Sequence, residues 1–190
     1  VCPPLRLWML CSPNEGAAAV VLRRAEPGGT GVRLRASVVT SHLAGAVLSE
    51  STPLSGLCDD DIPAPTRRAA HAAYEAASVE PGDLDLVECQ DTDAARELLS
   101  YEELGLCPPG GSAMLVRDGS TSLGNRLPVN VSGGLLSKGE PLGASALGQV
   151  VEVVRQLRGQ AGPRQVEGAR VGLAHTIGRG ANASVVILSR

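Results

Sequence analysis

The chain has 190 residues, 43% of them hydrophobic, and a net charge of −3 at pH 7. That length suits one domain with a sizeable core, and the small negative charge gives no electrostatic reason to expect a nucleic acid. Aromatic residues are 2% of the chain and Phe is missing, so stacking platforms for bases are lacking and the core must be built from Val, Leu, Ala and Ile.

Five Cys, at positions 2, 11, 58, 89 and 107, form no C-x-x-C pair and no metal-ligand spacing with the three His. They read as reduced thiols of a cytoplasmic protein, with no metal site. No apolar run approaches the roughly 20 residues that a membrane-spanning helix needs. Val1 to Leu10 is apolar without a basic leader, which reads as part of a longer chain.

In chain order, Cys11 to Gly16 is a turn-rich break, and Ala17 to Leu22 reads as a short buried strand closed by Arg23-Arg24. Glu26 to Gly31 is a linker by its Pro and Gly content. A first domain strand is expected over 32–40, followed by a long loop over 41–61. Helices are expected over 66–78, 93–104 and 144–158, and strands over 84–90, 127–131, 170–176 and 184–189. Within the second helix, Leu98, Leu99 and Tyr101 are expected inward. Cys107 to Asn125 is expected as loop, with one apolar run at Ala113 to Val116. In the third helix, Leu147, Val150, Val151, Val154 and Leu157 fall on one face. The last two strands are close enough to pair as a hairpin around Gly178-Arg179-Gly180. Alternating elements at these spacings predict a layered α/β domain, a mixed five-stranded sheet with helices on its faces.

Three stretches carry candidate chemistry. Asn130-Val131-Ser132-Gly133-Gly134 leaves a strand for a glycine loop, and Glu140-Pro141-Leu142-Gly143 leads into a helix. Strand, glycine loop and helix bring backbone N–H groups to one point, suited to an anion or a developing oxyanion. Glu140 is then a base or the orienter of a donor, or simply an acid favoured near a helix N-terminus. Cys89-Gln90-Asp91-Thr92-Asp93 leaves a strand at its C-terminal end, where open α/β sheets place their sites, although a capped helix start explains it equally. His175 ends a strand before Thr176-Ile177-Gly178, as a site residue or a satisfied core residue. His42, His71, Cys2, Cys11, Cys58 and Cys107 have no partner at readable spacing and are taken as structural or surface residues.

The stretch from Asn130 to Ala146 resembles the "NPSGGLxSKGHPLGATG" segment of thiolases, nearest the sterol-carrier and lipid-transfer branch, with Glu140 at the position of the family's catalytic His. Glu97 to Cys107 resembles that branch's "ELLTYEALGLC", and Cys11 to Leu22 its "CCPxxDGAAAxxL". Gln90 matches the Asn or His of the family's NEAF or HDCF motif, and Thr92 the Cys of HDCF. His175-Thr176-Ile177-Gly178 resembles His-Asn-Leu-Gly.

The resemblance implies the C-terminal half of a thiolase fold over 31–190, with 1–30 a remnant of the N-terminal half and a linker. It implies Gln90, Glu140 and His175 as catalytic residues. It implies Thr92, Ser132, Gly133, Gly143 and Gly178 as substrate contacts. The implied function is acyl transfer that makes or breaks a C–C bond next to a CoA thioester on a lipid or sterol-type chain. CoA enters as substrate, and no cofactor is required. The alternatives are a retro-aldolase working with an OB-fold partner, or a non-catalytic acyl-CoA or lipid-binding subunit. The implied partners are acyl-CoA, the missing N-terminal half, and a second copy or an OB-fold protein.

Overall fold

The computed structural model describes residues 3–26, 29, 31–41, 64–178 and 182–190. The long loop expected at 41–61 falls, beyond residue 41, outside the described residues, as do His42, Cys2, Cys58 and the Arg179-Gly180 turn. Four strands form one mixed sheet: β1 (Arg33–Thr40), β2 (Leu86–Glu88), β3 (Val171–Gly178) and β4 (Asn182–Ser189). Their order is β1-β4-β3-β2. β4 runs antiparallel to both β1 and β3, and β2 runs parallel to β3. The expected β3–β4 hairpin is present.

The sheet has four strands where five were expected. Residues 127–131 touch β2 through a single parallel bridge, Val87 with Val129. Its bonds run from Val87 N to Pro128 O at 3.0 Å and from Asn130 N to Val87 O at 2.8 Å. Pro128 has no N–H to donate, and Asn130 turns left-handed at φ 50° and ends the extended run. Leu127 and Val129 instead donate to the carbonyls of Ser120 and Thr121. Strand pairing is therefore cut to one rung.

Helices cover both faces. α1 (Pro65–Ala77) starts with Pro in its first turn and stops at Ser78 in the left-handed region, φ 54°. Ala69, Ala70, Ala73 and Ala77 share its inner face and are buried, which brings the helix close to Leu173, Val185 and Ile187. α5 (Ala144–Leu157) covers the opposite face with Val153 and Leu157, against Leu86, Ala174 and Leu188. α2 (Ala94–Glu103) buries Tyr101 and packs Leu98 against the core, while Leu99 is 43% exposed, contrary to expectation. Two short helices occupy stretches expected as loop, α3 (Ser112–Arg117) and α4 (Gly134–Lys138).

The buried stripe of α5 is rotated from the expected one. Gln149, Glu152, Val153, Gln156 and Leu157 face inward, and Leu147 is 38% exposed. The polar members are buried because they are paired. Arg164 reaches Glu152 at 3.0 Å. Gln156 donates to Glu152 and to Arg164 O, and accepts from Val166 N at 2.7 Å. Thr176 donates to Gln149 at 2.6 Å. A satisfied polar side chain carries little burial penalty.

Residues 3–26 run over the surface. Ala17 to Leu22 is not a strand here, and Val21 and Leu22 are 96% and 73% exposed. The arm touches the domain through isolated bridges, Leu10 with Asp93 and Pro13 with Glu140.

Gly172 marks the tightest approach of α5 to the sheet. A Cβ there would lie 2.6 Å from Val153 Cγ1 and 3.0 Å from Leu86 Cδ2, both in the buried core. Gly172→Ala should therefore destabilise the fold by about 1–3 kcal/mol through overpacking, measured by urea unfolding. Unchanged stability would show that α5 shifts freely on the sheet.

Candidate active site

The C-terminal ends of β2 and β3 and the start of α5 surround a cleft of about 590 Å³. Its lining includes Gln90, Thr92, Arg96, Glu140, Gly143 and Gly178. Gln90 follows β2, and its amide Nε2 donates to Glu140 Oε1 at 2.8 Å. Two residues 50 positions apart are thus joined at the cleft wall. The bond also fixes the Gln90 amide: a carboxylate only accepts, so the NH₂ must face Glu140. The other amide atom, Oε1, is buried and has no hydrogen-bond partner.

Glu140 is positioned from behind by the N-terminal arm. Its N–H donates to Ser12 O at 2.9 Å, and Asn14 Nδ2 donates to Lys138 O at 2.8 Å. Gly139 is buried at φ 80°, and a Cβ there would meet Asn14 Cβ at 2.7 Å and Ser12 O at 3.0 Å. Cys11, which the sequence left without a partner, places Sγ 3.9 Å from Glu140 Oε2. Burial pushes this thiol's pKa up, and the negative charges of Glu140 and Asp91 push it further.

The glycine loop holds a carboxyl group, and that group is the protein's own. Asp91 Oδ1 accepts from Leu135 N at 2.7 Å and Oδ2 from Leu136 N at 3.3 Å, at the start of α4. Gly134 must be Gly for this: at φ 61°, a Cβ would lie 1.9 Å from Asp91 Oδ2. Sequence reading passed over Asp91, although an acid next to Gln90 and a glycine turn later in the chain were both visible. Beside it, Ser132 donates to the buried Glu88 at 2.5 Å and receives Lys138 Nζ at 2.6 Å. Ser132 and Gly133 are absent from the cleft lining and serve this loop. Thr92, Gly143 and Gly178 line the cleft. Arg96, Leu142 and Thr176 also line it and were not expected. Arg96 turns its Nε toward Ser100 and an Nη to Glu103.

His175 is close to Gln90 but does not line the cleft. It is fully buried on the α1 side of the sheet. Its Nε2 lies 3.0 Å from Thr66 Oγ1, and its Nδ1 accepts from Gln90 N at 3.5 Å. With Nδ1 accepting, a neutral ring carries its proton on Nε2 and donates to Thr66. Burial, helped by the positive charge of Arg96, lowers the His175 pKa to about 3. The ring therefore stays neutral and braces the backbone at Gln90. Among the described residues, no group of His, Cys, Asp and Glu is placed to hold a metal ion, and no helix is long and apolar enough to cross a membrane.

Two buried groups set opposite pH slopes. Burial raises Asp91 from 3.8 to about 7, so its contribution to stability is full below pH 3.8 and lost as pH rises through 7. Glu88 is raised in the same direction by its burial. His175 is depressed from 6.5 to about 3, so it must stay neutral in the fold. Its penalty appears as pH falls below 6.5, where the unfolded ring protonates. Between pH 3.8 and 6.5 the two slopes oppose each other. Asp91→Asn should make stability rise more steeply with pH in that window, and His175→Gln should make it fall, read from urea unfolding at stepped pH. Identical pH profiles for both variants and the parent would overturn the assignment.

Comparison with known proteins places this geometry. Residues 45–190 match the family described as "Thiolase C-terminal domain-like". The acetyl-CoA acetyltransferase of Methanothermobacter thermautotrophicus is 42% identical over 100% of this chain and 49% of its own length. Sterol carrier protein 2 of Homo sapiens is 38% identical over 97% of this chain and 34% of its own. The benzoylsuccinyl-CoA thiolase subunit BbsB of Thauera aromatica is 37% identical over 96% of this chain and 47% of its own. The chain thus spans half or less of the length of these relatives. Among solved structures, a chain of the Ltp2-ChsH2(DUF35) aldolase superposes with a TM-score of 0.77, at 19% identity, over 100% of this chain and 48% of that one. With a family match across most of its length, the chain belongs to the thiolase superfamily, as a C-terminal-domain-like half.

Proposed function

We propose that the chain forms part of an enzyme that makes or breaks a C–C bond next to a CoA thioester, with Glu140 as the proton-transferring group. The observation that carries this is the Gln90–Glu140 clasp at the wall of a cleft onto which α5 opens its N-terminus. Gly143, Ser145 and Ala146 bring that helix end to the cleft. The partial positive charge of a helix end suits a thioester oxygen as it gains negative charge. A carboxylate at the same cleft is suited to take a proton from the substrate. The acyl-CoA chemistry in the names of the acetyltransferase and the benzoylsuccinyl-CoA thiolase subunit supports this class of substrate. A lipid or sterol-type acyl chain is supported by the sterol carrier relatives.

The chain is about half a thiolase-length protein, and we assign the nucleophilic Cys of thiolase chemistry to the other half, on the same or another polypeptide. The exposed arm with Trp8, Val21 and Leu22 is where that half or a second copy would pack. A second reading is C–C cleavage without an acyl-enzyme, with an OB-fold partner of the DUF35 kind. It is supported by the aldolase neighbour and by the presence of Thr92 where the sterol-carrier branch carries Cys.

The test is turnover of acyl-CoA by this chain alone and by the chain combined with its complementary half. The chain alone should be inactive and the combination active. In the active form Glu140→Gln should lower kcat about a hundredfold or more with little change in KM, since a base acts in the transition state. Turnover by the isolated chain, or an unchanged kcat in the substituted complex, would overturn this reading.

A further inference from the structure

Residues 10–14 of the N-terminal arm are tied to two segments that both line the cleft, one through Thr92 and the other through Glu140. On the first, Leu10 bridges Asp93, and Cys11 N donates to Thr92 O at 2.8 Å. On the second, Pro13 bridges Glu140, and Glu140 N donates to Ser12 O at 2.9 Å. Asn14 Nδ2 adds a bond to Lys138 O at 2.8 Å. The arm thus joins the segment after β2 to the loop after α4. Hydrogen bonds carry this attachment, since none of residues 3–26 is buried. An element held by few bonds and little apolar burial opens locally at low cost.

The Asn14 amide is fixed at both of its atoms. Its Oδ1 accepts from Glu15 N at 2.8 Å, so the NH₂ is what meets the Lys138 carbonyl. A carboxylate in its place would set an acceptor against an acceptor. Lys138 and Glu140 flank Gly139, so the carbonyl before that glycine and the N–H after it are both tied to the arm. Gly139 has no side chain to limit its backbone, and a Cβ there would stand 2.7 Å from Asn14 Cβ. The two bonds to the arm therefore fix the turn from which Glu140 projects. We propose that Asn14 is a positioning residue for Glu140, which latches residues 10–14 as a strap that joins the two cleft segments and opens as a unit. The strap stands on hydrogen bonds; only its kinetic effect rests on Glu140 being the proton-transferring group.

Hydrogen exchange of single amides, followed by NMR, tests the strap without any substrate. The Cys11 and Glu140 N–H groups close it on its two sides. Asn14→Asp keeps the acceptor for Glu15 N and loses the donor to Lys138 O. It should raise exchange at Cys11 and Glu140 together by about fivefold, the worth of one hydrogen bond. Leu135 and Leu136, whose N–H groups are held by Asp91, should exchange as before. Asn14→Ala, which adds no charge, should act in the same direction. Unchanged exchange at Glu140 in both variants overturns the proposal. So does a rise at Glu140 without one at Cys11, which would make the two attachments independent, or an equal rise at Leu135 and Leu136, which would make the effect a general loosening. In the active combination with the complementary half, Asn14→Asp should lower kcat severalfold and leave KM unchanged. An unchanged kcat beside raised exchange overturns the positioning role. If the unsubstituted combination turns over no acyl-CoA, the proposed function fails, and the exchange result still decides the strap.

Discussion

The arrangement of the cleft depends on one buried carboxylate. Asp91 sits just past the end of β2 and accepts from the first N–H groups of α4. The bond crosses 44 residues of sequence and fixes where the glycine loop lies. From α4 the chain runs through Gly139 to Glu140, so the place of the proposed base is set by Asp91 two steps upstream. A free helix end with this geometry would attract an external anion. Here the site is already filled, and the open helix end belongs to α5. Burial, with a smaller push from the negative charges of Glu97 and Glu88, raises the Asp91 pKa to about 7. The loop is therefore built on a group whose charge changes near neutrality.

Much of this was legible in the sequence. The three long helices and the β3–β4 hairpin follow from spacing and end signals: an Ala stripe and Pro in α1, Asp93 capping α2, apolar spacing in α5. Gln90 follows the end of β2, and the loop after Val129, bridged to β2 at Val87, brings Glu140 to the same sheet edge. The missing fifth strand was also written in the chain. Pro128 and Asn130 within five residues are poor company for a ladder, and the apolar run around them outweighed that signal. The face of α5 was misjudged for a different reason. Periodicity counts apolar residues and treats Glu152, Gln149 and Gln156 as solvent-facing, but their partners, Arg164 and Thr176, lie elsewhere in the chain. No local pattern shows whether a polar side chain will find its bond.

His175 lies buried on the α1 side of the sheet, and Cys11 lies beside Glu140. A His at a strand end near a glycine turn invites a catalytic reading, yet residues alternate across a sheet. Thr176 faces α5 and the cleft, so His175 faces α1 and the core. Cys11 belongs to a segment whose fold is outside the domain's regular elements. Its approach to Glu140 depends on two isolated bridges that carry no periodic signature. The arm holds Glu140 by its backbone, so a segment that contributes little to the core still sets the geometry of the cleft.

The strand order has a consequence for how the chain acquires this structure. β4 is the strand between β1 and β3, and it pairs with β1 across nearly the whole domain, Arg33 with Ser189. During synthesis, β1 leaves the ribosome long before β4, the strand that it pairs with among the described residues. Until β4 follows, the apolar face that α1 should cover has no complete sheet behind it, and β1 has an unpaired edge on both sides. Long-range closure of this kind slows folding and prolongs exposure of strand edges. Arg33 and Arg35 flank Leu34 in that waiting strand. Charges so placed discourage pairing with a neighbouring nascent chain, and they protect the sheet in the interval before its central strand exists.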